Sequence, residues 1–340
     1  MCKWCLHESD DVRPGYYRRD QLNIAFAESL EPRSLNLILF ITEQCNFRCT
    51  YCYESFRRPT MPKEIQQAIL SLIRRRASNL ERLSISWFGG EPLLARREIV
   101  QLSSDLSVLS AEFGFKREDS ITTNGYLLTK VVAEELINAS IRTFQISLDG
   151  PREFHDQTRI QRSGKGSYQE LYSNLLNLRT IQGSFQVAIR LHVTDHNHQR
   201  IADFSEQLDR DFGNDTRFGL HLVPVEAYKT GSSSSFVGCV DPMNFEHVVE
   251  QVKGRTKGIF ILNTPRGHCD VCYAAKANSF AIRSDGAVMK CTVGVDDERN
   301  ILGRLHPDGT MLIAKEKLLP WMAGFKSGDL SALACPYSKM

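Results

Sequence analysis

Apolar and polar positions along this chain switch repeatedly between a period of about two and a period near 3.6. Leu35 to Thr42, "LNLILFIT", is a continuous apolar run of strand length. "MPKEIQQAILSLIRRR" then places Ile65, Ile69, Leu72 and Ile73 on one helical face. Pro62 falls in its first turn, and Arg74, Arg75 and Arg76 fall at its end, where their charge complements the helix dipole and faces solvent. "RLSISWFGGEP" alternates and reads as a strand ending in a glycine turn, and "REIVQLSSDLSVLSAEF" as a helix. The same succession continues: "SITTNGYLL" (short strand and loop), "TKVVAEELINA" (helix), "IRTFQISLDG" (strand) and "SYQELYSNLLNLRTI" (helix). It ends with "SFQVAIRLHVT" (strand), "QRIADFSEQLDRDF" (helix) and "RFGLHLVPV" (strand).

Strands that alternate with helices across 35–225 predict a parallel sheet wound by right-handed crossovers. Polar residues gather just after the strands: Cys45 to Cys52, Gly89 to Glu91, Asn124, Ser147 to Asp149 and Arg190. In such folds the site lies at the C-terminal ends of the strands, so these separate regions are expected to converge.

Organisation changes further along. "YKTGSSSSFVGC", residues 228–239, is rich in Ser and Gly and reads as a flexible loop or boundary, with a helix over roughly 242–253 after it. From His268 onward short strands, Gly turns and more cysteines predict a smaller unit. The expected division is an N-terminal segment 1–34, a core 35–230, a linker and helix 231–267, and a C-terminal unit 268–340.

Composition narrows the class. Forty-two Lys and Arg against 40 Asp and Glu leave a net charge of +2, so no basic field argues for nucleic acid. The longest apolar run, Leu37 to Ile41, falls far short of a membrane span, and "MCKWCLHESDD" lacks the apolar core of a signal peptide. A cytoplasmic protein is expected. Ten cysteines without an export signal do not read as a disulfide framework, and their clustering at 45–52 and 269–291 is the spacing of metal ligands.

"ITEQCNFRCTYCYE" carries three cysteines, Cys45, Cys49 and Cys52, where a closed zinc or iron–sulfur site wants four ligands. Two readings stand: a zinc knuckle completed from afar, or a site that keeps one position open. The pattern Cys45-x3-Cys49-x2-Cys52, with Tyr51 before the last cysteine, resembles the radical SAM signature. "WFGGEP" (Gly89, Gly90, Glu91) resembles that family's glycine-rich motif for the methionine amino group. Asn124 in "TTNG", and Ser147, Asp149, His155, Asp156 and Arg159 in "ISLDGPREFHDQTR", fall where the family keeps ribose and carboxylate contacts, and Arg190 is a further candidate.

The resemblance covers residues 35 to about 310. It implies a partial (β/α)6 TIM-like barrel and a [4Fe–4S] cluster whose open iron binds S-adenosylmethionine. It also implies a flavodoxin- or ferredoxin-type electron donor. The cofactor contacts it implies are Tyr51, Gly89, Gly90, Glu91, Asn124, Ser147, Asp149, Arg159 and Arg190. It assigns no general base.

"CDVCYAAKANSFAIRSDGAVMKC" resembles the opening of the SPASM extension, which holds auxiliary iron–sulfur clusters in enzymes that modify peptides and proteins. Its full cysteine pattern is not reached. The expectation is a shortened, twitch-like extension with one auxiliary cluster on Cys269, Cys272, Cys291 and Cys335, with truncation or a zinc ribbon as alternatives. Cys2 and Cys5 are expected in a mobile tail, and Cys239 outside both groups. The implied substrate is a ribosomally made precursor peptide receiving a thioether or C–C cross-link, or a sulfatase receiving formylglycine. Thr292, after Cys291, weakens the second reading, because those maturases tend to carry an acid there, although Asp285, Asp296 or Asp297 could substitute. Some 34 residues precede the first strand, too few for the winged-helix module that grips leader peptides in many relatives. A zinc-binding adaptor without catalysis is the remote alternative, and the GGEP and Asn124 positions argue against it.

Overall fold

A computed structural model describes residues 19–228, 231–262 and 271–340; Cys2, Cys5 and Cys269 lie outside them. Six strands run parallel in sequential order: β1 (Ser34–Thr42), β2 (Arg82–Gly89), β3 (Lys116–Thr123), β4 (Ile141–Leu148), β5 (Gln186–Val193) and β6 (Phe218–Pro224). Between them lie α2 (Lys63–Arg76), α3 (Arg96–Phe113), α4 (Lys130–Asn138), α5 (Arg152–Thr158), α6 (Tyr168–Leu178) and α7 (His198–Phe212), after an initial α1 (Arg19–Leu30). Sequential parallel order with a helix in each crossover is the winding of a partial (β/α)6 barrel.

The apolar run of β1 has a simple cause. Leu35, Leu37, Leu39 and Ile41 join the large core under the helices, together with Ile69, Leu72 and Ile73 of α2. Ile38 and Phe40 point to the other face and join a smaller core with Ala281, Met289 and Val295. A strand buried on both faces needs no polar alternation.

The C-terminal third extends the same sheet. After α8 (Pro242–Arg255) and the short β7 (Phe260–Ile261), which pairs with β6, the chain returns to the opposite edge. There β8 (Ser279–Ile282) pairs parallel with β1. Strands β9 (Ala287–Met289), β10 (Ile301–Leu305) and β11 (Met311–Ile313) follow antiparallel, giving the order β11-β10-β9-β8-β1-β2-β3-β4-β5-β6-β7. The unit expected over 268–340 therefore shares a sheet and a core with the barrel. A buried ion pair reinforces this join: Arg283, just after β8, donates to both oxygens of Glu43 at 2.7 and 2.8 Å.

The Ser-rich stretch corrects the expectation of a flexible boundary. Gly231–Ser235 forms a 3-10 turn with Ser233 buried, and the Ser233 N–H donates to the Cys52 carbonyl at 3.0 Å. Serine hydroxyls bonding to nearby backbone make such a stretch compact: Ser233 Oγ accepts from the Tyr228 N–H at 2.7 Å. Among the described residues no helix is long and apolar enough to cross a membrane.

Candidate active site

The three cysteines lie on the loop that leaves the C-terminal end of β1. That loop is splinted by the segment after α5. The Arg48 N–H donates to Ile160 O at 2.7 Å, Thr50 N–H to Thr158 O at 2.9 Å, and Arg162 N–H to Asn46 O at 2.7 Å. On its other side the Ser-rich turn packs closely: a Cβ on Gly231 would lie 2.4 Å from the Cys52 carbonyl oxygen.

The glycine motif closes on the start of the same loop. Gly89 has φ +126°, a conformation that L side chains rarely adopt, and a Cβ there would lie 2.0 Å from Thr42 O. A Cβ on Gly90 would lie 2.5 Å from Gln44 O. The Gly90 and Glu91 N–H groups donate to Thr42 O and Gln44 O at 3.1 and 2.9 Å. Glu91, fully buried, accepts from the Leu93 N–H (3.0 Å), the Thr123 hydroxyl (2.7 Å) and the Asn124 N–H (2.8 Å). Its carboxylate thus ties β2 to β3 and fixes Asn124, whose Nδ2 donates to Asn46 Oδ1 at 2.7 Å.

Tyr51 anchors the loop to β4 and β5. Its hydroxyl lies 2.8 and 2.7 Å from the two Asp149 oxygens, 3.0 Å from Arg159 Nη1 and 3.2 Å from His192 Nδ1. Asp149 also meets His192 Nδ1 at 3.1 Å and the Thr158 hydroxyl at 2.6 Å. Asp149 is 0% exposed. Burial opposes its ionisation, but the His192 hydrogen bond and the Arg159 charge hold its carboxyl well below the usual range. Burial lowers both His155 and His192 to about 4, so both rings are neutral at pH 7. His155 accepts from the Asp149 N–H at 3.3 Å, and its Nε2 lies 3.0 Å from Ser167 Oγ.

The other sequence-derived positions fall nearby. Ser147 of β4 is buried opposite Arg190 of β5. Arg190 Nε is buried with no hydrogen-bond partner, as is Arg159 Nε. Both Glu54 oxygens are likewise buried without a hydrogen-bond partner, and burial, with Glu43 nearby, pushes that carboxyl up to about 8. His192, Thr158, Asn46 and Glu43 were not singled out from the sequence. A signal existed for His192: it sits two residues from Arg190 on one strand, hence on the same face. The others lie in loops or, for Thr158, at the end of α5, where their partners follow no sequence period.

The residues fit a thiolate-held cluster. The Phe47 N–H donates to Cys45 Sγ at 3.3 Å. Burial pushes the Cys45 thiol up to about 12 and raises Cys49 and Cys52 as well, each further by a neighbouring cysteine or acid, while Arg159 favours the thiolates of Cys45 and Cys49. Buried thiols of this kind are inert until a metal takes the proton's place. Among the described residues no three His, Cys, Asp or Glu side chains converge as a single-ion site. A [4Fe–4S] cluster takes each thiolate on a different iron and asks for no shared centre.

Three further cysteines, Cys272, Cys291 and Cys335, form a second group in the loops beside the C-terminal strands. The Val293 N–H donates to Cys291 Sγ at 3.4 Å, and the Cys272 N–H donates to Leu333 O at 2.9 Å, next to the Cys335 turn. Cys291 feels the charge of Cys335, and Tyr273 that of both Cys291 and Cys272. Lys290, fully buried, donates to Ser279 O at 2.8 Å.

Two surface grooves, of about 530 and 500 Å³, lie at the other end of the barrel. Within them Arg217 pairs with Asp215 and Arg117 with Asp119, each at 2.6 Å.

The sequence profile of the Radical SAM superfamily matches residues 39–206. GTP 3′,8-cyclase of Aeromonas hydrophila subsp. hydrophila is 36% identical over 130 residues, 36% of this chain and 36% of that protein. GTP 3′,8-cyclase of Haemophilus influenzae is 31% identical over 130 residues, 37% of each. The match to these curated relatives spans little more than a third of their length. Among solved structures, native anSMEcpe with bound AdoMet aligns with a TM-score of 0.64 at 19% identity, over 84% of this chain and 80% of that one. Streptococcus suis SuiB bound to precursor peptide SuiA aligns with a TM-score of 0.57 at 15% identity, over 91% and 70%. These likenesses share the fold, and members of the superfamily use a [4Fe–4S] cluster with S-adenosylmethionine. Residues 39–206 of this chain are a radical SAM superfamily domain.

Proposed function

We propose that this chain is a radical SAM enzyme that oxidises a residue of a ribosomally made precursor peptide, giving a thioether or carbon–carbon cross-link. The observation that carries the reading is the second cysteine group, built onto the edge of β1 that the core barrel leaves open. Cys45, Cys49 and Cys52 would hold the [4Fe–4S] cluster; Cys272, Cys291 and Cys335, with Cys269, would hold an auxiliary one. When bound, the cluster and S-adenosylmethionine supply the one-electron cleavage that starts hydrogen abstraction. Forming a cross-link removes two hydrogens from the peptide, one as an atom and one as a proton plus an electron. An auxiliary cluster is the candidate acceptor for that electron, and a flavodoxin- or ferredoxin-type protein the candidate donor for the cleavage.

This chain's residues would set the stage. The glycine turn lines the start of the cysteine loop without side chains. Arg190 carries a buried N–H, and Glu54 buried oxygens, with no protein partner, and both suit a polar substrate. Peptides occupy two of the structural neighbours, SuiB with SuiA and anSMEcpe with the Cp18Cys peptide. Against the formylglycine reading, all three acids that could replace the missing one are tied up. Asp285 pairs with Arg58 at 2.6 Å, Asp296 with Arg283 at 3.3 Å and Asp297 with Arg299 at 2.6 Å.

The curated matches favour a second reading, cyclisation of a purine nucleotide. They cover little more than a third of this chain, however. Anaerobic reconstitution decides the matter. With dithionite, S-adenosylmethionine and a candidate peptide encoded beside the gene, the expected product is 5′-deoxyadenosine and a peptide lighter by two hydrogens. Product formed from GTP instead favours the cyclase reading, and a colourless zinc-loaded protein ends both.

A further inference from the structure

Asp149 and Arg159 match family motifs for cofactor contacts, yet their side chains turn toward the cysteine loop. Asp149 is fully buried, and its oxygens are taken up by Tyr51, Thr158 and His192. Arg159 spends Nη1 on the Tyr51 hydroxyl and lies 5.8 Å from the centre of the Phe47 ring, between Cys45 and Cys49 in sequence. The segment that carries Arg159 supplies the backbone splint along residues 46–50.

Proton accounting closes this network. Tyr51 has one hydroxyl proton and gives it to Asp149. Arg159 donates to the phenol oxygen. A neutral His192 facing these two oxygens carries its proton on Nδ1 and donates to Asp149. Thr158 donates its one hydroxyl proton to Asp149 Oδ2. One negative and one positive charge cancel, and the ring of Tyr51 is held between His192 (5.4 Å) and Phe236 (5.8 Å). Asn197 fixes the two strand ends, donating from Nδ2 to Asp149 O and His192 O, each at 2.9 Å.

We infer that Asp149, Arg159 and His192 are positioning residues: they clamp Tyr51, and through it the backbone between Cys49 and Cys52. His192 thereby joins a site to which sequence motifs assign it no part. With a cluster bound, the clamp would fix the backbone that carries two of its thiolates and would thereby affect how S-adenosylmethionine binds there. The inference rests on reading those cysteines as cluster ligands.

The test uses the full chain, reconstituted anaerobically, with three readouts: iron per chain, the electron paramagnetic resonance spectrum of the reduced cluster with and without S-adenosylmethionine, and equilibrium binding of S-adenosylmethionine. Asp149→Asn and His192→Leu are expected to blunt the spectral change and weaken binding about tenfold, the cost of breaking a charge-assisted buried hydrogen bond. His192→Asn, whose amide N–H replaces Nδ1–H, is expected to restore most of the change; a merely space-filling role would favour Leu. Tyr51→Phe keeps the ring and removes only the hydroxyl, so it carries the test if Asp149→Asn does not fold. Wild-type spectra and affinity in Tyr51→Phe and His192→Leu overturn the inference. So does a His192→Asn variant no better than His192→Leu. A wild-type chain that takes up no cluster overturns this inference together with the proposed function, whereas a loaded wild type matched by its variants overturns this one alone.

Discussion

Arg283 and Glu43 face each other through two hydrogen bonds of 2.7 and 2.8 Å, both side chains almost wholly buried, 240 positions apart in the chain. Glu43 is two residues before Cys45, and Arg283 follows β8 directly. The pair bolts the C-terminal strands to the root of the cysteine loop.

Removing Arg283 leaves the buried Glu43 carboxylate with only the longer Arg58 contact at 3.5 Å. Arg283→Met is expected to cost about 3–5 kcal/mol, read as a lower urea midpoint. Arg283→Met combined with Glu43→Gln is expected to recover part of that loss. A single variant as stable as the wild type would show that the pair does not hold the join.

The glycine turn is a matter of space. Gly90→Ala puts a methyl group 2.5 Å from Gln44 O and is expected to cost about 1–3 kcal/mol and lower the iron bound per chain. Gly114→Ala is the control. Unlike Gly90 it has a positive φ, +78°, but a Cβ there meets nothing within 4 Å and it lies far from the cysteines in sequence, so it is expected to lose some stability and no iron. Equal iron in the two variants would contradict the packing argument.

Acid sensitivity follows from the two buried imidazoles. Burial holds His155 and His192 at about 4, whereas histidines of the unfolded chain titrate near 6.5. Between those values the unfolded state binds the extra protons, so stability falls as pH drops from about 6.5 towards 4. Each ring accounts for on the order of 3 kcal/mol across that window. Asp149, held low, adds a loss of the same sign below the ordinary aspartate range. Urea midpoints at pH 7.5 and pH 5 measure this. A flat profile would mean that the rings are not buried and neutral.

The two cysteine groups are expected to separate in assay. Cys49→Ala should abolish formation of 5′-deoxyadenosine. Cys291→Ala should leave part of it and block modification of the peptide, with less iron per chain. Loss of cleavage confined to Cys291→Ala would mean that the groups have exchanged roles.

The alternation of strands and helices was legible because each strand and helix obeys one period, and β1 to β6 appear in the expected order, although β3 starts at Lys116, four residues before the stretch read as its strand. The cysteine loop and the glycine turn were legible as motifs. Less legible was the direction in which polar side chains face. Glu91 and Asp149 sit in motifs associated with cofactor contacts, yet the structure spends their oxygens on Thr123, Asn124, Tyr51 and His192. Hydrogen-bond partners across a fold carry no sequence spacing. The Ser-rich turn misled for a related reason: composition reads as flexibility, while Ser233 is buried against Cys52. The return of β8 to β1 had no local signal at all.

That return has a consequence for how the chain is made. Asn36 pairs with Ser279, so one edge of the first strand stays unsatisfied until more than two hundred further residues have been synthesised. Pairings this distant in sequence close late and slowly, and an open apolar edge is a target for other chains meanwhile. The cysteine loop therefore leaves the ribosome well before Arg283, 240 positions after Glu43, is available to seal its root.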